Sequence, residues 1–335
     1  MRIGIIGAGA IGGWLGVRLA AAGHEVSVLA RGETLSALSQ SPWRLKDSSG
    51  TLDAKVEASD DPVKLGRQDL LILAVKGPAL AAVLPAIRAM CDSDTIVLPA
   101  MNGVPWWFLL DSAEPALARP LESIDPFGAL QQAIPLNQVL GAVVYTSAVI
   151  DAPGSVRIVT GNKLILGEPG GVMTERVTAL AKLLQDAGID AVPSERIRYE
   201  LWYKLWGNMT VNPISAITGS TSDRIINDEL ANRFILSVMS EAQRIGERIG
   251  LVIEERGEDR NVVTRSWGAF KTSMLQDAEA GRPMEIDALI GAPREIAQRL
   301  GLETPALDAL LGLTRLFARQ KGLYPDAPLA AADAA

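Results

Sequence analysis

In 335 residues the chain has a single cysteine, Cys91, and a single histidine, His24. One thiol excludes an internal disulfide framework, and one thiol with one imidazole cannot furnish a conventional zinc site, so no metal is expected. No stretch reaches the ~18 uninterrupted apolar residues of a membrane-crossing helix. Long basic runs are also missing, and a net charge of −7 argues against nucleic acid as a partner. These absences leave a cytoplasmic protein that binds a small molecule, with no membrane or nucleic-acid partner and a homodimer as a compatible state. What is present is ample apolar sequence, 48% of residues against 21% charged, in a chain long enough for about two domains.

The opening "MRIGIIGAGAIGGWLGVRLAAAG" has a basic start, apolar residues and small residues, which could imitate a secretory signal. Its glycines would weaken a signal helix, yet they fall where a nucleotide-binding turn needs them. Gly7-Ala8-Gly9-Ala10-Ile11-Gly12 is a G-x-G-x-x-G pattern between an expected strand over 2–6 and an expected helix over 10–22. The first glycine permits the tight turn and the second lets backbone approach a pyrophosphate. The third lets helix pack on strand, and the helix N-terminus attracts the phosphate charge. A dinucleotide site is therefore expected here. At the end of the second strand, "VLARG" offers Arg31 where an NAD site usually has an acid for the ribose hydroxyls. A cation there neutralises a 2′-phosphate, so the expected cofactor is NADPH/NADP. Lys76, in "LAVKG", is either a second cation at the same sheet edge or a solvated loop lysine.

Beyond "EVSVLA", the short apolar runs "DLLILAV" and "DTIVLPA" flank the helical "GPALAAVLPAIRAM". Such alternation predicts an α/β fold with a mostly parallel, doubly wound sheet of Rossmann type. From Val139 to Leu166, strands broken at Pro-Gly and Gly-Asn read as antiparallel additions, followed by a helix over 172–187 and the short "IDAV". After Pro193 the pattern becomes amphipathic and helical, over 195–217, 229–249, 284–300 and 304–320. The expected domains are a dinucleotide-binding domain over 1–192 and a mainly helical substrate domain over 193–325, with a low-complexity tail over 326–335 as a candidate for disorder.

The first helix of the second domain carries the unusual stretch "WYKLWGNMTVNPISAITG". Lys204, Asn208 and Asn212 recur every four residues, so on a helix they form one polar stripe among Trp, Leu, Met and Val. A cation and two amides among core residues need partners. Either protein backbone or a ligand supplies them, because buried polar networks also serve structure alone. Reducing a ketone builds negative charge on oxygen, and a positioned ammonium both stabilises that charge and delivers a proton. His24 lies in "AAGHEV", a turn far from this helix, and reads as a surface residue.

These residues resemble a known family. "MRIGIIGAGAIG", "VKG", "MNG", "KLWGNMTVNPISAI" and "SMLQDAEAGRPMEID" are similar, in that order, to the motifs of ketopantoate reductases, from Met1 to about Arg319. The resemblance implies that Lys204 is the proton donor and that Asn208, Asn212 and Ser273 contact substrate. It also implies that Glu285 sits by the cofactor and the reacting hydroxyl, that Asn102 lies beside the nicotinamide, and that Arg31 and Lys76 hold the 2′-phosphate. Read alone, Glu285 could equally be a solvated carboxylate and Ser273 a helix N-cap.

Two departures stand out. The run from Asn102 to Gly141 is longer than compact members need and carries Trp106 and Trp107, which would reshape the substrate pocket. After Ile217, "TGSTSD" lacks the further asparagine of the usual pattern. The expected function is NADPH-dependent reduction of a small branched 2-oxo acid, with 2-dehydropantoate to (R)-pantoate first, in pantothenate and coenzyme A synthesis. A relative acting on another oxo or hydroxy acid, or an NADP-binding sensor without turnover, are the alternatives.

Overall fold

A computed structural model describes residues 1–326 of the protein, so the expected tail lies, beyond Asp326, outside the described residues. The chain divides into two compact units, Met1–Leu201 and a second that begins at Trp202.

The first unit opens with β1 (Arg2–Ile6), α1 (Ala10–Ala21), β2 (Glu25–Leu29), α2 (Gly32–Gln40), β3 (Trp43–Asp47) and β4 (Gly50–Ala54). Then come β5 (Glu57–Ser59), α3 (Pro62–Leu65), β6 (Leu70–Leu73), α4 (Leu80–Met90) and β7 (Ile96–Pro99). After a long irregular stretch that holds only α5 (Ala129–Ala133) and short 3-10 turns, β8 (Gly141–Ala152), β9 (Ser155–Gly167), α6 (Glu175–Asp186) and β10 (Asp190–Pro193) complete it.

Five strands form one parallel sheet in the order β5-β2-β1-β6-β7. The chain runs outward from β1 to β5, then returns past β1 to β6, and this reversal creates a crevice at the carboxyl ends of β1 and β6. Strands covered on both faces need apolar residues throughout, which is why β6 is "LLIL" with every position buried. This is the doubly wound sheet expected from the sequence.

A second sheet packs on the other side of α1. In it β9 pairs antiparallel with β8 and parallel with both β3 and β10, and β4 extends the sheet beyond β3. The β8–β9 hairpin turns at Pro153-Gly154, as expected. Gly161-Asn162, expected to break a strand, instead makes a bulge inside β9. Gly161 has φ +75°, and a Cβ there would stand 2.3 Å from the Tyr145 carbonyl oxygen. Asn162 then accepts from Trp14 Nε1 at 3.0 Å and donates to the Gly188 carbonyl at 2.8 Å, tying the bulge to α1 and to the turn before β10. The sequence reading did not anticipate β3, β4 or β5. In β3 the signal is the alternation of buried Trp43 and Leu45 with the more exposed Arg44 and Lys46.

Because α1 lies between two sheets, it is buried almost all round. Its glycines let both layers approach: a methyl on Gly13 would come 2.7 Å from Val156, and one on Gly16 2.4 Å from Trp43 Cζ3. Arg18, at the helix end, reaches Asp47 of β3 at 2.7 Å.

The helix α7 (Ile197–Thr218) starts at the end of the first unit and continues into the second. The second unit adds α8 (Ser222–Asn227), α9 (Glu229–Arg248), α10 (Gly257–Ser266), α11 (Ser273–Glu279), α12 (Ala292–Arg299) and α13 (Pro305–Gln320). A π-helical turn, Asp287–Gly291, leads into α12. Among the described residues this unit has no strand, as expected. Neither α8 nor α10 was anticipated; both are short and rich in charge. Trp206 of α7 anchors to α9 through Nε1 donating to the Met239 carbonyl at 3.0 Å. Buried Glu241 of α9 receives the Ala306 and Leu307 amides at 2.9 and 2.8 Å, capping α13 from a distance.

Substituting Gly16 by Ala should lower unfolding free energy by about 1–3 kcal/mol in urea titrations, the usual penalty of overpacking against a rigid ring. Gly312, exposed within α13 with nothing within 4 Å of a built Cβ, is the contrast. There an Ala should stabilise by up to about 1 kcal/mol through helix propensity. Equal and small effects at both positions would contradict the sandwiched packing of α1.

Candidate functional site

The glycines of the turn after β1 differ in what surrounds them. Gly7 has φ +112°, and a Cβ on it would lie 2.7 Å from the Ala74 carbonyl carbon, just past β6. A Cβ on Gly12 would come 1.9 Å from the Gly7 oxygen, so only glycine lets the helix sit this close to the turn. Gly9 is different: nothing lies within 4 Å of a Cβ built on it. Gly9 is also the N-cap of α1, with no side-chain cap and no acidic residue in the first turn. The helix therefore offers open backbone next to uncapped amides and an unneutralised positive dipole end, which fits the pyrophosphate of a dinucleotide. Ala8, Ala10 and Ile11 occupy the intervening positions and are half-buried.

Three other residues singled out from the sequence come to the same edge of the parallel sheet. Arg31 follows β2 and is exposed, at the N-cap position of α2. Lys76 follows β6, half-buried, at the start of a 3-10 turn. Asn102 follows β7, half-buried, next to Gly103 with φ +82°. All strands of this sheet point the same way, so the turns after β1, β2, β6 and β7 share the carboxyl edge.

In the second unit, α7 carries Lys204, Asn208 and Asn212 on one face. Asn212 is buried, while Lys204 and Asn208 keep part of their surface open. Other polar residues of α7 are committed to backbone: Thr210 donates to the Gly207 carbonyl at 2.8 Å and Ser215 to the Ser220 carbonyl at 2.7 Å. Although the Lys204 side chain is only partly covered, its ammonium lies deep in protein. Burial pushes its pKa from 10.5 down to about 8, with the Glu285 carboxylate holding it up against that trend. Glu285 itself is buried, which rules out the solvated-carboxylate reading. It stands just before the π-helical turn, and its carbonyl accepts from the Leu289 amide at 3.1 Å.

Ser273 is exposed and is the first residue of α11. It is not the N-cap. That position belongs to Thr272, whose hydroxyl accepts from the Leu275 amide at 3.2 Å. Trp106 and Trp107 are buried core residues of the first unit, not pocket surface; Trp107 lies where a Cβ on Gly141 would be 2.7 Å from its ring. His24 is partly covered in the turn between α1 and β2, and burial, with the nearby N-terminus, lowers its pKa.

Sequence reasoning passed over Tyr203 and Arg260, which flank the stripe. The Tyr203 hydroxyl donates to Glu255 at 2.5 Å, and Arg260 is buried against Gly207. Within "GEDRNVV" nothing separates a buried arginine from its exposed charged neighbours.

Comparison with known proteins extends over both units. The family model "Ketopantoate reductase PanE/ApbA" matches residues 3–171, and "Ketopantoate reductase PanE/ApbA C terminal" matches residues 196–318. A 2-dehydropantoate 2-reductase from Mesorhizobium japonicum is 43% identical over 326 residues, covering 97% of this chain and all of that one (100%). A solved chain from Ralstonia solanacearum MolK2 has 50% identity and a TM-score of 0.92, covering 96% of this chain and 99% of that one. A PanE/ApbA family ketopantoate reductase from Ralstonia eutropha JMP134 has 27% identity and a TM-score of 0.81, covering 96% and 100%.

The lowered pKa of Lys204 has a consequence for stability. Between pH about 8 and 10.5 the unfolded lysine holds its proton while the folded one has lost it, so this group makes stability rise with pH across that window. Denaturant titrations at pH 7.5 and 10 should show a Lys204→Met variant with a flatter pH slope than wild type. An unchanged slope would mean that this ammonium is not the buried charge.

Proposed function

The chain belongs to the ketopantoate reductase family, and from that premise we propose that it reduces 2-dehydropantoate to (R)-pantoate with NADPH. The observation that carries the reading is the buried Lys204 ammonium, lowered to about 8 and sustained by Glu285. That value keeps the group mostly protonated near neutrality yet ready to give its proton. The pathway implied is pantothenate and coenzyme A synthesis, which suits a cytoplasmic enzyme. No helix among the described residues is long and apolar enough to cross a membrane.

In this reading residues 1–192 hold the cofactor and residues 193–325 the substrate. Gly7, Gly9 and Gly12 cradle the pyrophosphate, Arg31 and Lys76 take the 2′-phosphate, and Asn102 and Glu285 border the nicotinamide. When bound, the dinucleotide supplies a hydride to the keto carbon. Lys204 Nζ stabilises the charge growing on the keto oxygen and transfers its proton there, leaving a neutral amine and an alcohol. Glu285 keeps that ammonium charged before transfer, and Asn208, Asn212 and Ser273 hold the substrate. A different 2-oxo acid is the second reading, favoured by the missing asparagine after Ile217.

Steady-state assays of the purified protein with NADPH and a panel of 2-oxo acids test the proposal. The highest kcat/KM is expected for 2-dehydropantoate; a better acid would shift the assignment to the second reading, and no turnover with any would leave a sensor. Arg31→Ala should raise the NADPH KM about tenfold or more while leaving NADH nearly unchanged, since charge-assisted phosphate contacts are worth ~1.5–3 kcal/mol. Equal losses with both cofactors would remove Arg31 from the phosphate site.

The proton donor has its own test. Lys204→Ala should lower turnover about a hundredfold to ten-thousandfold while NADPH still binds. The wild-type reduction rate should fall as pH rises through about 8, because only the ammonium donates. Near-normal turnover in Lys204→Ala, with an unchanged pH profile, would require another donor.

A further inference from the structure

Arg260 of α10 is a cation inside the second unit, 6% exposed. Its guanidinium carbon lies over the Tyr203 ring at 5.2 Å and over the Trp267 ring at 5.3 Å. Stacking on aromatic rings offsets part of the charge but gives the in-plane N–H groups no acceptor. Nε is enclosed and has no hydrogen-bond partner, and no carboxylate among the described residues forms an ion pair with this arginine. The acid that stands near its aromatic neighbour, Glu255, accepts from the Tyr203 hydroxyl. The other buried polar side chains of α10 are served locally: Asn261 donates to Asn232 at 2.7 Å, and Thr264 to the Arg260 carbonyl at 3.1 Å. A buried charge without a counter-charge is expensive, so an anion is the group that this position lacks.

Its location says which anion. The guanidinium lies against Gly207, where a built Cβ would be 3.4 Å from Nη2 and 3.6 Å from Nε. Gly207 is one helical turn from Lys204, a spacing of about 5–6 Å between Cβ positions, and it immediately precedes Asn208. With a glycine there, no side chain separates the guanidinium from the face that carries the ammonium. In a 2-oxo acid the carboxylate is bonded directly to the keto carbon. A substrate whose keto oxygen meets Lys204 therefore has its carboxylate within reach of a planar fork suited to bidentate binding. The Phe270 ring packs tilted against Trp267, with centroids 6.1 Å apart, and half-exposed Trp267 forms the outer wall beside the guanidinium.

We propose that Arg260, held between Tyr203 and Trp267 against Gly207, binds the substrate carboxylate and is the residue that restricts this enzyme to 2-oxo acids. The proposal rests on the 2-oxo acid reading of the Lys204 site. It gives the carboxylate to a buried cation rather than to the exposed hydroxyl of Ser273.

Three full-length variants, Arg260→Met, Arg260→Lys and Ser273→Ala, are to be assayed with 2-dehydropantoate and with its uncharged carboxamide. Arg260→Met should raise the KM for the acid about tenfold to a hundredfold and leave those for the carboxamide and NADPH unchanged. Arg260→Lys keeps the charge but not the fork, and should give a smaller loss confined to the acid; it carries the test if the Met variant does not fold. Ser273→Ala should affect acid and carboxamide alike. Equal shifts for acid and carboxamide in the Arg260 variants, or an acid-specific loss in Ser273→Ala alone, would overturn the proposal. Calorimetric titration of the protein with oxamate, which carries the same carboxylate, separates the two readings. Oxamate binding by wild type that is lost in Arg260→Met supports the anion site even if 2-dehydropantoate is not turned over. Undiminished oxamate binding by the variant counts against it.

Discussion

A lysine ammonium buried on α7 has to be kept charged by something, and the Glu285 carboxylate is what opposes its desolvation. Much of the second unit follows from this constraint. Glu285 must itself be buried to act at close range, and a buried carboxylate needs a rigid mount. The π-helical turn after it supplies one: Asp287 is bound by Arg315 at 2.8 Å and by the Tyr324 hydroxyl at 2.8 Å, so the turn is fastened to α13 and to the residues beyond it. Arg315 also lies over the Tyr324 ring, 5.5 Å from its centre, which gives this fastening a second contact. Glu285 is thus held by a turn that begins two residues after it and is tied to α13 and to Tyr324.

In the first unit the governing fact is that α1 has a sheet on each side. Its glycines answer two demands with one residue type. Gly13 and Gly16 admit Val156 and Trp43 from the second sheet, whereas Gly7 and Gly12 admit backbone at the turn. Only Gly9 faces open space. A reader of the sequence sees one glycine-rich stretch, but its members divide between core packing, close backbone approach and open space. The apolar surroundings of α1 also explain why this helix lacks the amphipathic pattern of α9, which has a solvent face.

The parallel sheet was legible because strands buried on both faces leave unbroken apolar runs, and the glycine turn marked where the first helix starts. The stripe on α7 was legible because a four-residue period survives in any helix. The second sheet was harder to read. Strands such as β4, "GTLDA", are mostly exposed and short, so their pairing partners rather than their own residues define them. The bulge at Gly161-Asn162 looked like a strand end, since a glycine with positive φ marks either. The N-cap alternative for Ser273 falls because adjacent hydroxyls are equally good caps in sequence, and only backbone geometry gives the position to Thr272. Trp106 and Trp107 followed a candidate site residue in the chain and were credited with a pocket role, yet bulky apolar side chains are more often core.

Arg260 marks the limit of such reading from the other direction. Its burial depends on Tyr203 and Trp267, which come from separate parts of the chain, and on Gly207, whose missing side chain makes room. No local pattern in the sequence encodes that enclosure. Charged residues around it, such as Glu258 paired with Arg256 at 3.5 Å, remain largely exposed and contribute little. The same residue type therefore has different energetic weight a single helical turn apart. An arginine that the fold encloses without a counter-charge is informative because its cost must be met by something outside the chain. Lys204 differs, because the Glu285 carboxylate supplies its counter-charge from within the chain. On α7, Gly207 lies three residues from Lys204, and its small size lets the Arg260 guanidinium of α10 approach this helix closely.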